Sequence, residues 1–182
     1  MSTPPATLPS SDAGSPLKLL CDWHRLGELQ FETLESLLAV EPGVPASLQA
    51  QAAAYAVTVY FDAAAAVHHV DEELDLFPAL IESMAGSDAV CLREMIEWVK
   101  QEHRFLESMW RSLRPSMCTL AAGRPARLDP AGVASLIHSC GRAFKREELE
   151  LFPMAERLLS DESVEAIRIA IDTRHRIFKA HQ

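Results

Sequence analysis

The sequence predicts an all-α protein, an up-down-up-down four-helix bundle with a possible short fifth helix at the C-terminal end. Three observations carry this. Apolar residues recur at alternating spacings of three and four along four long segments, no segment alternates with period two, and an eleven-residue stretch occurs twice, once in each half of the chain.

Helix one opens at Ser15-Pro16, an N-cap residue followed by the one position where proline is pre-organised for a helix, and runs to Val40 before Glu41-Pro42-Gly43 stops it. Its seam reads Leu20, His24, Gly27, Phe31, Leu34, Leu38. Helix two starts near Pro45-Ala46-Ser47 and reaches about Met84, with a turn at Ala85-Gly86-Ser87-Asp88 and a kink or break expected at Pro78, which cannot donate a helical hydrogen bond. Val57, Phe61, Ala65, His68, Glu72 and Leu76 form its stripe.

Helix three begins at Ser87 or Asp88 and is expected to end before Pro115, with a seam of Leu92, Ile96, Val99, His103, Leu106, Trp110 and Leu113. A long connection then covers Pro115 to Leu128. Helix four repeats the cap-then-proline start at Asp129-Pro130 and carries Val133, Ile137, Cys140, Phe144, Glu147, Leu151, Met154 and Leu158 to near Ser160. Glu162 to about Lys179 reads as the fifth helix, packed outside the bundle. The organisation expected is a disordered Ser/Pro/Ala-rich lead-in over 1–14, a bundle over 15–160, and a C-terminal helix and tail over 161–182.

A chain of 182 residues with 48% hydrophobic content can bury the core of one domain. The net charge of −9 argues against nucleic acid or an anionic membrane as partner, since both are polyanions. No run is long and apolar enough to span a bilayer, and the N-terminal stretch lacks the basic-then-apolar pattern of a secretory signal. Cys21, Cys91, Cys118 and Cys140 form no CxxC pair and read as buried free thiols. A cytoplasmic protein is the simplest expectation.

The repeated stretch is HHVDEELDLFP from His68 to Pro78 and AFKREELELFP from Ala143 to Pro153, with six of eleven positions identical. Residues four apart share a helix face, so His68 and Glu72 present an imidazole and a carboxylate to one point. The second copy keeps the carboxylate as Glu147 but has Ala143 where the histidine would stand. His24 and His103 interrupt the seams of the first and third helices. Buried carboxylates are costly unless paired or metal-bound, and a cation satisfies His24, His68, Glu72, His103 and Glu147 together. Imidazole with bridging carboxylates favours iron or manganese over thiolate-preferring metals.

HHxxEExxxFP from His68, xxxxEExxxFP from Ala143, and the seam histidines His24 and His103 resemble the hemerythrin-like, or HHE cation-binding, family over roughly Pro16 to Leu159. The resemblance implies a di-iron centre serving oxygen or nitric oxide binding or sensing, or iron handling. Carried over by position, His24, His68 and His103 are terminal ligands and Glu72 and Glu147 bridging ones. The fourth family histidine falls at Ala143, whose methyl cannot coordinate. Water or an exogenous molecule could take the vacancy, another side chain could swing in, or one ion could be lost to leave a mononuclear site or one for another divalent metal.

Cys140 lies about 10 Å from Glu147 along the helix axis, and His138 falls on the opposite face, so neither replaces the missing imidazole. Two other functions compete with the gas or iron role: oxidase or peroxidase-like chemistry at the open position with Glu147 as base, and a metal-free structural or interaction bundle. His69, Glu73 and Glu148 sit about 100° around their helices from the ligands, at the surface or supporting them by hydrogen bonds. Trp98 and Trp110 read as packing. His175 and His181 read as surface residues, and Arg174-His175-Arg176 as a solvated helix end.

Overall fold

A computed structural model describes residues 14–84 and 88–180; the lead-in apart from Gly14, most of the turn after Met84, and His181 lie outside the described residues. Helix α1 spans Pro16–Ser36 and ends in a tighter turn over Leu37–Ala39. The Ser15 side chain accepts from the Leu17 N–H, so the cap-then-proline signal is realised. Leu37 is buried at the end of the seam in place of Leu38, because the tighter turn shifts the face by one residue.

The second long helix is three α segments, α2 (Leu48–Val59), α3 (Ala65–Asp71) and α4 (Phe77–Ser83), joined by π-helical turns at Tyr60–Ala64 and Glu72–Leu76. Helix α5 covers Asp88–Ala121. Helices α6 (Pro130–Arg146) and α7 (Phe152–Leu158) are joined by a third π turn, Glu147–Leu151, and α8 is Asp161–Ala180. Helix α1 packs on α2 and α6, and α5 packs on the same two, which closes a ring of four. No strand occurs among the described residues, and none of their helices is long and apolar enough to cross a membrane.

Of the kink or break expected at Pro78, the break does not occur: the chain stays helical, with a π turn just before the proline. Phe77 donates its N–H to the Glu72 carbonyl five residues back, and Phe152 does the same to Glu147. A proline ring collides with the carbonyl four residues before it, here Leu74 and Leu149. The wider turn relieves that collision, and both leucines are exposed, so the freed carbonyls lie on the water side. The repeat therefore carries its own backbone irregularity.

Helix α5 also runs through Pro115 to Ala121, where a connection was expected. Pro115 and Arg111 are exposed, so the lost hydrogen bond leaves a carbonyl near solvent, while Leu113, Met117 and Leu120 are buried by continuing the helix. In the second helix the first π turn buries Tyr60 and Ala64, with Phe61 and Ala65 at the edge. In the fourth, Leu136 and Ala155 are buried where Ile137 and Met154 were expected.

The buried side chains form two clusters. One contains Leu20, Trp23, Leu76, Val99 and Leu151; the other contains Phe31, Val57, Leu106 and Phe144. On the third and fourth long helices the polar seam residue, His103 or Glu147, stands where one cluster gives way to the other; on the first and second, His24 and Glu72 stand within the first cluster, close to that boundary on the neighbouring helices. A polar layer thus divides the core.

Helix α8 corrects the reading of the C-terminal end. It is twenty residues long and packs on α1 and the Glu72–Leu76 turn. His175 is buried and donates from Nε2 to Asp71 at 2.6 Å, and Arg174 pairs with both Asp71 and Asp75. Asp71, next to Glu72, is fully buried, and an isolated buried carboxylate is costly, so this pairing holds α8 against the second helix. The expectation of four buried thiols also fails: all are free, but only Cys140 is buried.

Candidate metal centre

His24 from α1, His68 from α3, Glu72 from the turn after it, His103 from α5 and Glu147 from the turn after α6 meet in the polar layer, each no more than 3% exposed. His24 Nε2 lies 3.1 Å from His68 Nε2 and 3.0 Å from Glu147 Oε2, and Glu72 Oε1 is 3.8 Å from His68 Nε2. One donor atom from each of these four residues lies within 4.8 Å of all the others. On the other side, His103 Nε2 is 3.2 Å from Glu72 Oε2 and 3.8 Å from Glu147 Oε1. Each carboxylate therefore turns one oxygen to a two-imidazole side and the other to a one-imidazole side.

The donor set fits a cation. Nitrogen and oxygen ligands about 2.1 Å from a metal and at right angles are about 3 Å apart, which matches the three shortest contacts. Both Glu72 oxygens, Glu147 Oε2 and His103 Nε2 are buried without a hydrogen bond despite these short separations. Their lone pairs are not aimed at one another. Buried polar groups are almost always satisfied, so a shared partner between them explains the arrangement.

The charges tell the same story. Burial disfavours a charged His24, but the nearby Glu147 carboxylate outweighs it and raises its pKa. His103, also opposed by burial, is pushed up to about 11 by Glu147, Glu72 and Glu73. His68 is held well below the ordinary imidazole value, first by burial and then by the charge on His24. Burial and the neighbouring Glu147 raise Glu72 to about 7, whereas His103 and His24 overcome burial and lower Glu147. Without a cation, protons on the histidines hold the two carboxylates together.

The outer edges of the rings are fixed by the second glutamate of each doublet. His103 Nδ1 donates to Glu73 Oε1 at 2.8 Å, and His24 Nδ1 donates to Glu148 Oε1 at 2.8 Å. Both bonds put the proton on Nδ1 and leave Nε2 to the centre. The two copies match again one turn earlier: His69 stacks on His103 at 3.9 Å and 8°, and Phe144 stacks on His24 at 4.1 Å and 10°. The repeated EE doublet was the signal for Glu73 and Glu148. Their specific partners depend on which helices are neighbours, which the doublet alone does not reveal.

By the same correspondence, His68 meets His24, so position 143 belongs with His103. Ala143 is buried and brings no donor there. Cys140 is also buried, and burial together with the Glu147 charge pushes its thiol up to about 12, so it stays protonated.

A family model for the hemerythrin HHE cation-binding domain matches residues 24–155. The chain belongs to this family. The match begins at His24 and encloses all five residues of the hemerythrin-like cluster. A protein of uncharacterised function from Haemophilus influenzae is 30% identical over 101 residues, covering 56% of this chain and 55% of the relative, so the chain spans about half the length of the curated relative that it matches. No solved structure matches.

Proposed function

We propose that this hemerythrin-like chain is a non-heme iron protein of the cytoplasm. His24, His68 and His103 would serve as terminal ligands of a di-iron centre, and Glu72 and Glu147 would supply the carboxylates shared within it. The observation that carries the reading is the division of both carboxylates between a two-imidazole and a one-imidazole side, with buried oxygens that no protein donor satisfies. In a metal-free bundle the charge on the histidines balances the carboxylates, but these oxygens still lack an aligned donor, at a cost of about 1–3 kcal/mol each.

When bound, an iron pair supplies electrons to, and a binding position for, a diatomic ligand such as oxygen or nitric oxide. The chain's part is to hold the ligands in one tautomer through Glu73 and Glu148, to exclude water with the two apolar clusters, and to leave the His103 side one donor short. That vacancy supports oxygen or nitric oxide binding or sensing, or iron handling. Ala143→His tests it: the added imidazole raises iron affinity about tenfold or more in a chelator competition. A variant that folds but binds iron no better than the parent contradicts the vacancy.

A further inference from the structure

The first π turn, Tyr60–Ala64, differs from the other two because no proline follows it. Such turns concentrate at functional sites, and this one borders a cavity of about 250 Å³ between the second and third long helices. Three consecutive residues of the turn shape the cavity. Asp62 forms the rim, paired through both oxygens with Arg114 at 2.8 and 2.9 Å and accepting from Trp110 Nε1 at 2.8 Å. Phe61 stacks on Trp110 at 4.7 Å to make an aromatic wall. Tyr60, 5% exposed, lies at the inner end near His68.

The inner end offers a hydrogen-bond donor. The Tyr60 hydroxyl lies over Gly27, and among the described residues it has no hydrogen-bond partner. His68 also borders this end, but its Nδ1 has no surface open to the space, so Tyr60 is the donor, and it does not depend on the metal reading above. No uncompensated charge lines the space, since Arg114 is tied to Asp62 and Arg111 at the rim offsets Glu107.

We propose that this cavity is a binding site for a small, flat, uncharged carbonyl compound with the dimensions of a benzoquinone, its oxygen held by the Tyr60 hydroxyl and its ring against Phe61 and Trp110. The donor requires an acceptor oxygen, the aromatic walls a planar ring, and the balanced rim an uncharged molecule. The volume admits about ten to twelve non-hydrogen atoms.

The test is equilibrium dialysis of duroquinone, whose four methyl groups block addition to Cys140, against the full chain in iron-loaded and metal-free forms. One saturable site with a Kd on the order of 0.1 mM is expected in both. Tyr60→Phe keeps the ring and weakens binding about five- to tenfold, and Ala65→Leu fills the cavity and abolishes it, while iron content is unchanged in each. Absence of saturable binding, or binding that folded Tyr60→Phe protein retains in full, overturns the proposal. Duroquinone binding to a chain that takes up no iron would sink the metal reading and leave the cavity standing; iron uptake without duroquinone binding would do the reverse.

Discussion

His103 and Glu73 form a 2.8 Å hydrogen bond between neighbouring helices, and it fixes which ring nitrogen of His103 faces the buried carboxylates. Burial disfavours ionised Glu73, but this bond outweighs it and lowers the carboxyl's pKa. Removing the acceptor frees the ring to rotate and to change tautomer. Glu73→Ala should therefore lower iron affinity about 10- to 100-fold without touching a proposed ligand, and Glu148→Ala should do the same through His24. Chelator competition on folded protein measures it; unchanged affinity in both variants would remove the orienting role.

Gly27 lies under Tyr60 and Phe144, and a Cβ there would come within 2.4 Å of the Tyr60 hydroxyl and 3.0 Å of the Phe144 ring. Gly27→Ala should cost about 1–3 kcal/mol by overpacking, although alanine is the better helix former. Tyr60→Phe removes the closest atom, so the double variant should recover part of the loss. Urea unfolding of the four combinations reads the coupling directly.

The bundle's periodicity was legible because the third helix keeps one face: every expected seam residue from Leu92 to Leu113 is buried. The buried polar cluster was legible because a carboxylate or imidazole on an apolar seam has few explanations, and here four helices supply five. Prolines misled in both directions. Pro115 does not end its helix, since its lost bond faces water, and Pro78 does not break its own, since a π turn makes room. Val57, Tyr60, Ala64 and His68 are buried in steps of three, four and four, where steps of four, four and three through Phe61 and Ala65 were expected; both fit one helix face, and periodicity does not choose between them. The burial of His175 was hidden for another reason: its partner Asp71 lies 104 positions away, and no local pattern links them.

Asp62 has its pKa lowered, chiefly by the hydrogen bond from Arg114. A carboxyl with a depressed folded pKa contributes stability above its unfolded value, near 4, and loses it as pH falls through the folded value. Both partners are partly exposed, with side chains 30% and 50% accessible, so the contribution is about 0.5–1 kcal/mol. Asp62→Asn should be less stable than the parent by that amount at pH 7, with the gap closing below about pH 4. Urea midpoints compared at both pH values check the sign; a gap that persists in acid would mean that the carboxylate charge is not its source.

The account rests on the five buried donors holding metal, and elemental analysis of protein purified anaerobically from iron-supplemented cells, read beside its near-ultraviolet charge-transfer spectrum, tests that most directly. It predicts about two irons per chain with charge-transfer absorption. Folded, stable protein with no stoichiometric metal would contradict it.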